Sequence, residues 1–173
     1  MPPPLGKPVQ LVHYVDANLF HDALTGRSVT ACLHFVNGTP IDWYTKKQAT
    51  VETATYGSEF VAARTCVEQI MDLRNTLRYL GVPIMEKSHM FGDNESVVNS
   101  STNIHAKLHK RHTALSFHRV REAIASRYVS FNHIPGTENP SDVLSKHWSY
   151  NSVKDVLFSI FNQRGETIKT KDE

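Results

Sequence analysis

The segment Val9 to Ala17, VQLVHYVDA, is rich in β-branched and aromatic residues and apolar on both faces, as a strand buried on both sides would be. After the turn Thr25-Gly26-Arg27, Ser28 to Val36 alternates, with Val29, Ala31, Leu33 and Phe35 on one face. Asn37-Gly38 is the chemistry of a tight hairpin, so Pro40 to Lys47 is predicted as a third strand antiparallel to the second. From Thr55 the period changes. Tyr56, Phe60, Ala63, Val67, Ile70, Leu73, Leu77 and Leu80 recur at helical spacing until Gly81 and Pro83 end the pattern. A short apolar run from Ser88 ends at Asp93, and a new helical pattern begins near Asn94. Ile104 to Ser126 sets Leu115, Phe117, Val120 and Ile124 among many Lys, Arg and His and predicts a basic helical element. Tyr128 to Ile134 is the last strand, Asn139-Pro140 reads as an N-cap and first helical position, and Val153, Val156, Leu157, Ile160 and Phe161 outline one more amphipathic helix. Three strands, a helix, a strand, helices, a strand and a helix make an α/β chain.

With 173 residues and 40% hydrophobic content, the chain is long enough for one well-cored domain and too short for two. No run approaches the eighteen or so apolar residues of a membrane span, and MPPPLGKPV lacks the apolar centre of a signal peptide. A single soluble domain is expected. Residues 1–8, with four prolines, form an extended lead-in; 9–150 form the folded unit, 151–162 a C-terminal helix and 163–173 a flexible tail. The two cysteines, Cys32 and Cys66, lie within apolar patterns and read as small core residues in a reducing compartment, which excludes a disulfide framework. A net charge of +2 is too mild to identify a nucleic-acid binder, although local clustering can still do so.

Four acids carry the candidate chemistry, and each has a plainer explanation. Asp93, at the end of a strand just before a helix, sits where α/β sheets place their ligands, or it caps that helix. Asp16 lies inside a strand pattern, where an unpaired carboxylate is costly, or it starts a turn at the strand end. Glu59 shares a face of the long helix with Ala62, Ala63 and Cys66, or it complements the helix dipole in solvent. Asp142 follows Asn139-Pro140 at the third helical position, where a capping-box acid belongs. His105, His109 and His112 fall at i, i+4 and i+7, a spacing that suits zinc on a helix but lacks a cysteine or carboxylate to complete the set. Phosphate contact or plain solvation explains them better.

A collinear series of words gathers these acids into one pattern: YVDAN at 14–18, TGRSVT at 25–30, IDWYTKKQATV at 41–51, TYGSEFVAA at 55–63, FGDNESVV at 91–98, KRHTALSFHRVRE at 110–122 and IPGTENPSDVLSK at 134–146. Over about Leu11 to Lys146 the chain resembles the ribonuclease H domain that ends the polymerase polyprotein of Ty1/copia-type LTR retrotransposons. The resemblance implies an α/β ribonuclease H-like fold: a mixed five-stranded sheet, three antiparallel strands then two parallel, with helices on both faces. It also implies catalytic, metal-holding carboxylates at Asp16, Glu59, Asp93 and Asp142. Asp16 and Asp93 would bind both of two Mg²⁺ or Mn²⁺ ions, and Glu59 and Asp142 would complete one each. Two cations roughly 3.5–4 Å apart can activate water and stabilise the leaving oxygen of a phosphodiester, and clustered carboxylates are what hold such a pair.

The implied substrate is the RNA strand of an RNA–DNA hybrid, and the implied partner is the reverse transcriptase domain of the same polyprotein, with no membrane. The implied location is the cytoplasm, in virus-like particles, and then the nucleus with the preintegration complex. Asn94, Ser96 and Asn99 are candidate donors to 2′-hydroxyls; Lys107, Lys110, Arg111 and Arg119 are candidate contacts to the duplex backbone. Many cellular ribonucleases H carry a histidine in the loop before the last aspartate. Pro135 to Ser141 has none, and His133 stands at the end of the preceding strand as a core or rim residue. Gly57 is an unusual choice near a helix start, costing about 1 kcal/mol relative to alanine unless close packing requires it. Two other readings stand beside the nuclease. One is a ribonuclease H-like docking module without turnover. The other is a strand transferase of integrase type, against which the Glu on the first long helix and the lack of a preceding HHCC zinc pattern both count.

Overall fold

Thirty or so residues of hydrophobic alternation become the three antiparallel strands β1 (Leu11–Asp22), β2 (Arg27–Val36) and β3 (Thr39–Lys47) in the computed structural model. The structure describes residues 3, 5–108 and 111–160, the side chains of 155 and 159 excepted. The long helix α1 (Thr55–Tyr79) leads to β4 (Ser88–Gly92), followed by α2 (Glu95–Thr102), α3 (Ala114–Ala125), β5 (Val129–His133), α4 (Asp142–Ser145) and α5 (Tyr150–Ile160). The sheet order is β3-β2-β1-β4-β5, with β1 antiparallel to β2 and parallel to β4, and β4 parallel to β5. Asn37 and Gly38 both have positive φ, 50° and 79°, which closes the β2–β3 hairpin with the twist its strands require.

Helices cover both faces. On one, α1 presents Phe60, Ala63, Val67 and Ile70 to Val15, Cys32 and Met90, and α3 adds Phe117 and Val120. Ala62, Ala63 and Cys66 are fully buried, and these small side chains let the helix axis approach the sheet closely. On the other face, Leu33 and Phe35 of β2 meet Ile160 of α5, with Val12, Tyr14, Leu144 and Val156 around them. The C-terminal helix thus belongs to the domain's packing. Phe161, Asn162 and the tail from Gln163 lie outside the described residues.

Three local expectations are corrected. The first strand does not stop at Ala17 but runs to Asp22, because β2 continues to pair with its polar end, Ala17 with Thr30 and Asn18 with Val29; Asp16 is therefore mid-strand rather than at a turn. Ile104 to Ser126 is not one helix. Its first part is a turn around Ile104 and His105, a single 3₁₀ turn spans Arg111–Thr113, and α3 begins only at Ala114. The physical cause is Arg121, whose guanidinium donates to the carbonyls of Ser100, Asn103 and Ile104 and so terminates α2 from outside. His105 and His112 consequently share no helical face, and His109 and Lys110 lie outside the described residues. Lastly, Asn139 and Pro140 precede the last short helix instead of starting it, and Asp142 is its first residue. Asn139 is buried, donating to Val15 O and accepting from Ser141 N and Oγ, so it fastens this loop to β1.

Candidate active site

Parallel register brings the first two acids together. β1 pairs with β4 as Val12 with His89 and Tyr14 with Phe91, and the same offset carried two residues further sets Asp16 beside Asp93. Glu59 arrives from the first turns of α1, where its carboxylate accepts from the Ala17 N–H. One carboxylate oxygen from each of Asp16, Glu59 and Asp93 lies within 4.8 Å of the other two.

These acids are poorly hydrated. Asp16 is 2% exposed and Glu59 6%. Burial first, then the nearby charges of Asp93 and Asp142, push the Asp16 carboxyl up to about 6, against the opposing hydrogen bond from Ser145. Burial, with Asp16 and Asp93 adding to it, holds Glu59 well above the usual carboxylate range. Asp93 is raised by burial too, despite its own backbone N–H and the charge of Lys146. Clustered, desolvated carboxylates of this kind are stable as anions only with a cation among them. Oxygen-only donors select a hard divalent ion such as Mg²⁺ or Mn²⁺, so the residues present fit one.

Asp142 stands apart from the trio. Its charge acts on Asp16 and Asp93, but its carboxylate pairs with Lys146, four residues on. Ser145, between them, donates from Oγ to Asp16 Oδ2. Gly136 lies against Asp93: a Cβ there would stand 3.2 Å from Asp93 Oδ2. His133 Nε2 donates to the Asp93 carbonyl oxygen at 3.1 Å, which puts this histidine on the rim of the site.

No family model matches the chain. Over 134 residues, 77% of its length, it is 28% identical to a retrovirus-related Pol polyprotein from transposon TNT 1-94 of Nicotiana tabacum. Over 166 residues, 95% of its length, it is 23% identical to a retrovirus-related Pol polyprotein from transposon RE2 of Arabidopsis thaliana. The chain spans only 10% and 11% of these relatives. Among solved structures, LC11-RNase H1 in complex with an RNA/DNA hybrid matches with a TM-score of 0.61 at 16% identity, covering 78% of this chain and 93% of that one. The chain has a ribonuclease H-like fold.

In this ribonuclease H-fold domain the sequence-predicted contacts to nucleic acid are placed unevenly. Asn94 caps α2, its Oδ1 accepting from Val97 N at 3.2 Å, so it borders the site as the residue after Asp93. Ser96 is exposed in the first turn of α2, and Lys107 and Arg111 are exposed on the link to α3. Arg119 is held on α3 by Glu122 and reaches Met71 Sδ of α1; none of its contacts among the described residues is to a site carboxylate. Sequence reasoning missed Ser145, Lys146 and Asn139 as parts of the site. The signal was available in the word NPSDVLSK, whose three- and four-residue spacings from Asp142 put Ser145 and Lys146 one helical turn away.

Proposed function

We propose that the domain is a divalent-metal-dependent ribonuclease H that hydrolyses the RNA strand of RNA–DNA hybrids made while an element's RNA is copied into DNA. The observation that carries the reading is the convergence of Asp16, Glu59 and Asp93 from β1, α1 and the end of β4 within 4.8 Å. Likeness to ribonuclease H1 enzymes and to transposon Pol polyproteins supports it. Asp16 and Asp93 would hold two Mg²⁺ or Mn²⁺ ions in common, Glu59 would complete one and Asp142 the other. When bound, the cations supply Lewis-acid activation of water and neutralise charge on the leaving oxygen.

The chain's own residues do the positioning. Ser145 fixes the Asp16 carboxylate and favours its ionised form, and Gly136 leaves room for Asp93 to point into the site. His133, whose Nε2 donates to the Asp93 carbonyl oxygen, sets an imidazole on the rim of the site. Asn94 and Ser96, next to Asp93, supply donors for 2′-hydroxyls, while Lys107, Lys110 and Arg111 supply charge for the duplex backbone. On this reading the partner in sequence is the reverse transcriptase of the same polyprotein, and the place of action is the cytoplasmic virus-like particle.

A labelled RNA–DNA hybrid tests the reading, with Mg²⁺ or Mn²⁺ and with an RNA–RNA duplex as control. Cleavage of only the hybrid's RNA strand, lost in Asp93→Asn, is the expected result. Silence with either ion, persisting when the upstream polymerase segment is attached, favours the docking module.

A further inference from the structure

An ammonium group stands against the fourth acid of the site, Asp142. Lys146 follows α4 directly and pairs with Asp142, one helical turn back; both line the same cleft of about 950 Å³ between the 136–146 loop, β1 and α5. An exposed i,i+4 pair of this type normally does little. This one differs in its surroundings: the Asp142 side chain is only 15% exposed, and Asp16, Glu59 and Asp93 also feel the Lys146 charge. Burial works against the ammonium, yet the pair with Asp142, then Asp16 and Asp93, hold its pKa above that of an ordinary lysine.

We propose that Lys146 is a tethered cation standing in the place of the second divalent ion. It neutralises Asp142, so that the domain without nucleic acid binds one divalent ion tightly on Asp16, Glu59 and Asp93, and a second only by displacing the ammonium from Asp142. This rests on the metal-nuclease reading above and adds an order of assembly to it. Lysine suits the task because its charge is a compact point on a flexible four-carbon stem. Its side chain is 43% exposed, so water is available to receive the ammonium when it leaves. A substrate phosphate entering the site adds negative charge and tips the competition toward the second ion. Lys146 is therefore a positioning residue: it sets when Asp142 becomes available.

The test is a Mn²⁺ titration of the full chain without nucleic acid, read by calorimetry and by the paramagnetic signal of free Mn²⁺. One tight ion is expected in the wild type. Lys146→Met should tighten the second ion by about tenfold, within the usual range for coupled sites, and the first by much less. Lys146→Arg, which keeps a cation, should leave the second ion weak, and Asp142→Asn in the Lys146→Met background should abolish the gain. A tightened site is a result that a merely misfolded variant does not produce. An unchanged second ion in Lys146→Met, or two ions bound equally by the wild type, overturns the proposal alone. No binding, or a first ion indifferent to Asp93→Asn, overturns the metal-centre reading and this proposal with it.

Discussion

Nδ1 of His13 on β1 and Nδ1 of its cross-strand partner His34 on β2 lie 2.8 Å apart beneath α1, and such a contact holds only one proton. His34 Nε2 meets Gln69 Oε1 at 3.0 Å, so His34 donates there, and His13 must donate to His34 Nδ1. His13 Nε2 is then a bare acceptor, and it makes no hydrogen bond in the interior. Burial, with His34, Arg74 and His89 adding to it, lowers the His13 pKa to about 2; burial also lowers that of His34. Below the ordinary histidine pKa the unfolded chain therefore binds protons that the fold refuses, and stability falls as pH falls. At pH 5 the loss from His13 is about 2 kcal/mol. Thermal unfolding from pH 7.5 to 5 checks this: a His13→Asn/His34→Asn variant should start less stable but lose less on acidification than the wild type. Equal slopes would refute it.

Gly57 is explained by Glu52. A Cβ at Gly57 would overlap Glu52 Oε2, which is buried and bonded to His112 Nε2 at 3.0 Å. Ordinarily Gly→Ala in a helix stabilises by about 1 kcal/mol. Here the sign reverses, and Gly57→Ala should destabilise by about 1–3 kcal/mol through overpacking. Denaturant unfolding of Gly57→Ala, Glu52→Ala and the double variant checks the mechanism, because the penalty should vanish once Glu52 is truncated.

What the sequence could show follows from the range of each interaction. Strand alternation, the Asn37-Gly38 turn and the helical stripe of α1 are local signals, and each marks its element to within a few residues. Asp16 and Asp93 were legible as misplaced carboxylates, since a buried acid inside an apolar pattern demands a reason. Their meeting was not, because it depends on the β1–β4 register, a pairing across nearly eighty residues. The broken helix between α2 and α3 was hidden for a similar reason: Arg121 looks like a solvated face until its guanidinium is seen on three carbonyls. Lys146 stands one helical turn from Asp142 in sequence, and only the fold brings Asp16 and Asp93 within range of its charge.

Ser145 offers a test of how Asp16 is tuned. Its Oγ donates to Asp16 Oδ2, and a hydrogen bond to a charged group contributes about 1.5–3 kcal/mol. Ser145→Ala should raise the Asp16 pKa further above its present value of about 6, moving the acid limb of the kcat/KM profile on hybrid substrate to higher pH by about one to two units. Activity at pH 7 then falls while activity at pH 9 is nearly kept. A profile lowered at every pH without displacement would mean that Ser145 only supports the packing of α4.

The like charges of Asp16, Glu59 and Asp93 make the ion-free site a source of instability, and its pH dependence runs opposite to that of the histidines. Each raised carboxyl keeps a proton in the fold that the unfolded chain has already released, so stability is lost as pH rises from the ordinary carboxylate value through the folded one. For Asp16, raised from 3.8 to about 6, the full loss is about 3 kcal/mol above that window. A divalent ion restores what ionisation removes, since it binds only the ionised set. The increment in unfolding temperature on adding Mg²⁺ should therefore be large at pH 7.5 and small at pH 5.5, and chelation should reverse it. Asp93→Asn, which removes one of the repelling charges, should raise the unfolding temperature of the ion-free protein at pH 7.5 while shrinking the Mg²⁺ increment. An Asp93→Asn variant that melts lower than the wild type without metal would show that the carboxylate stabilises the fold, and that the charge cluster is not held together against its own repulsion.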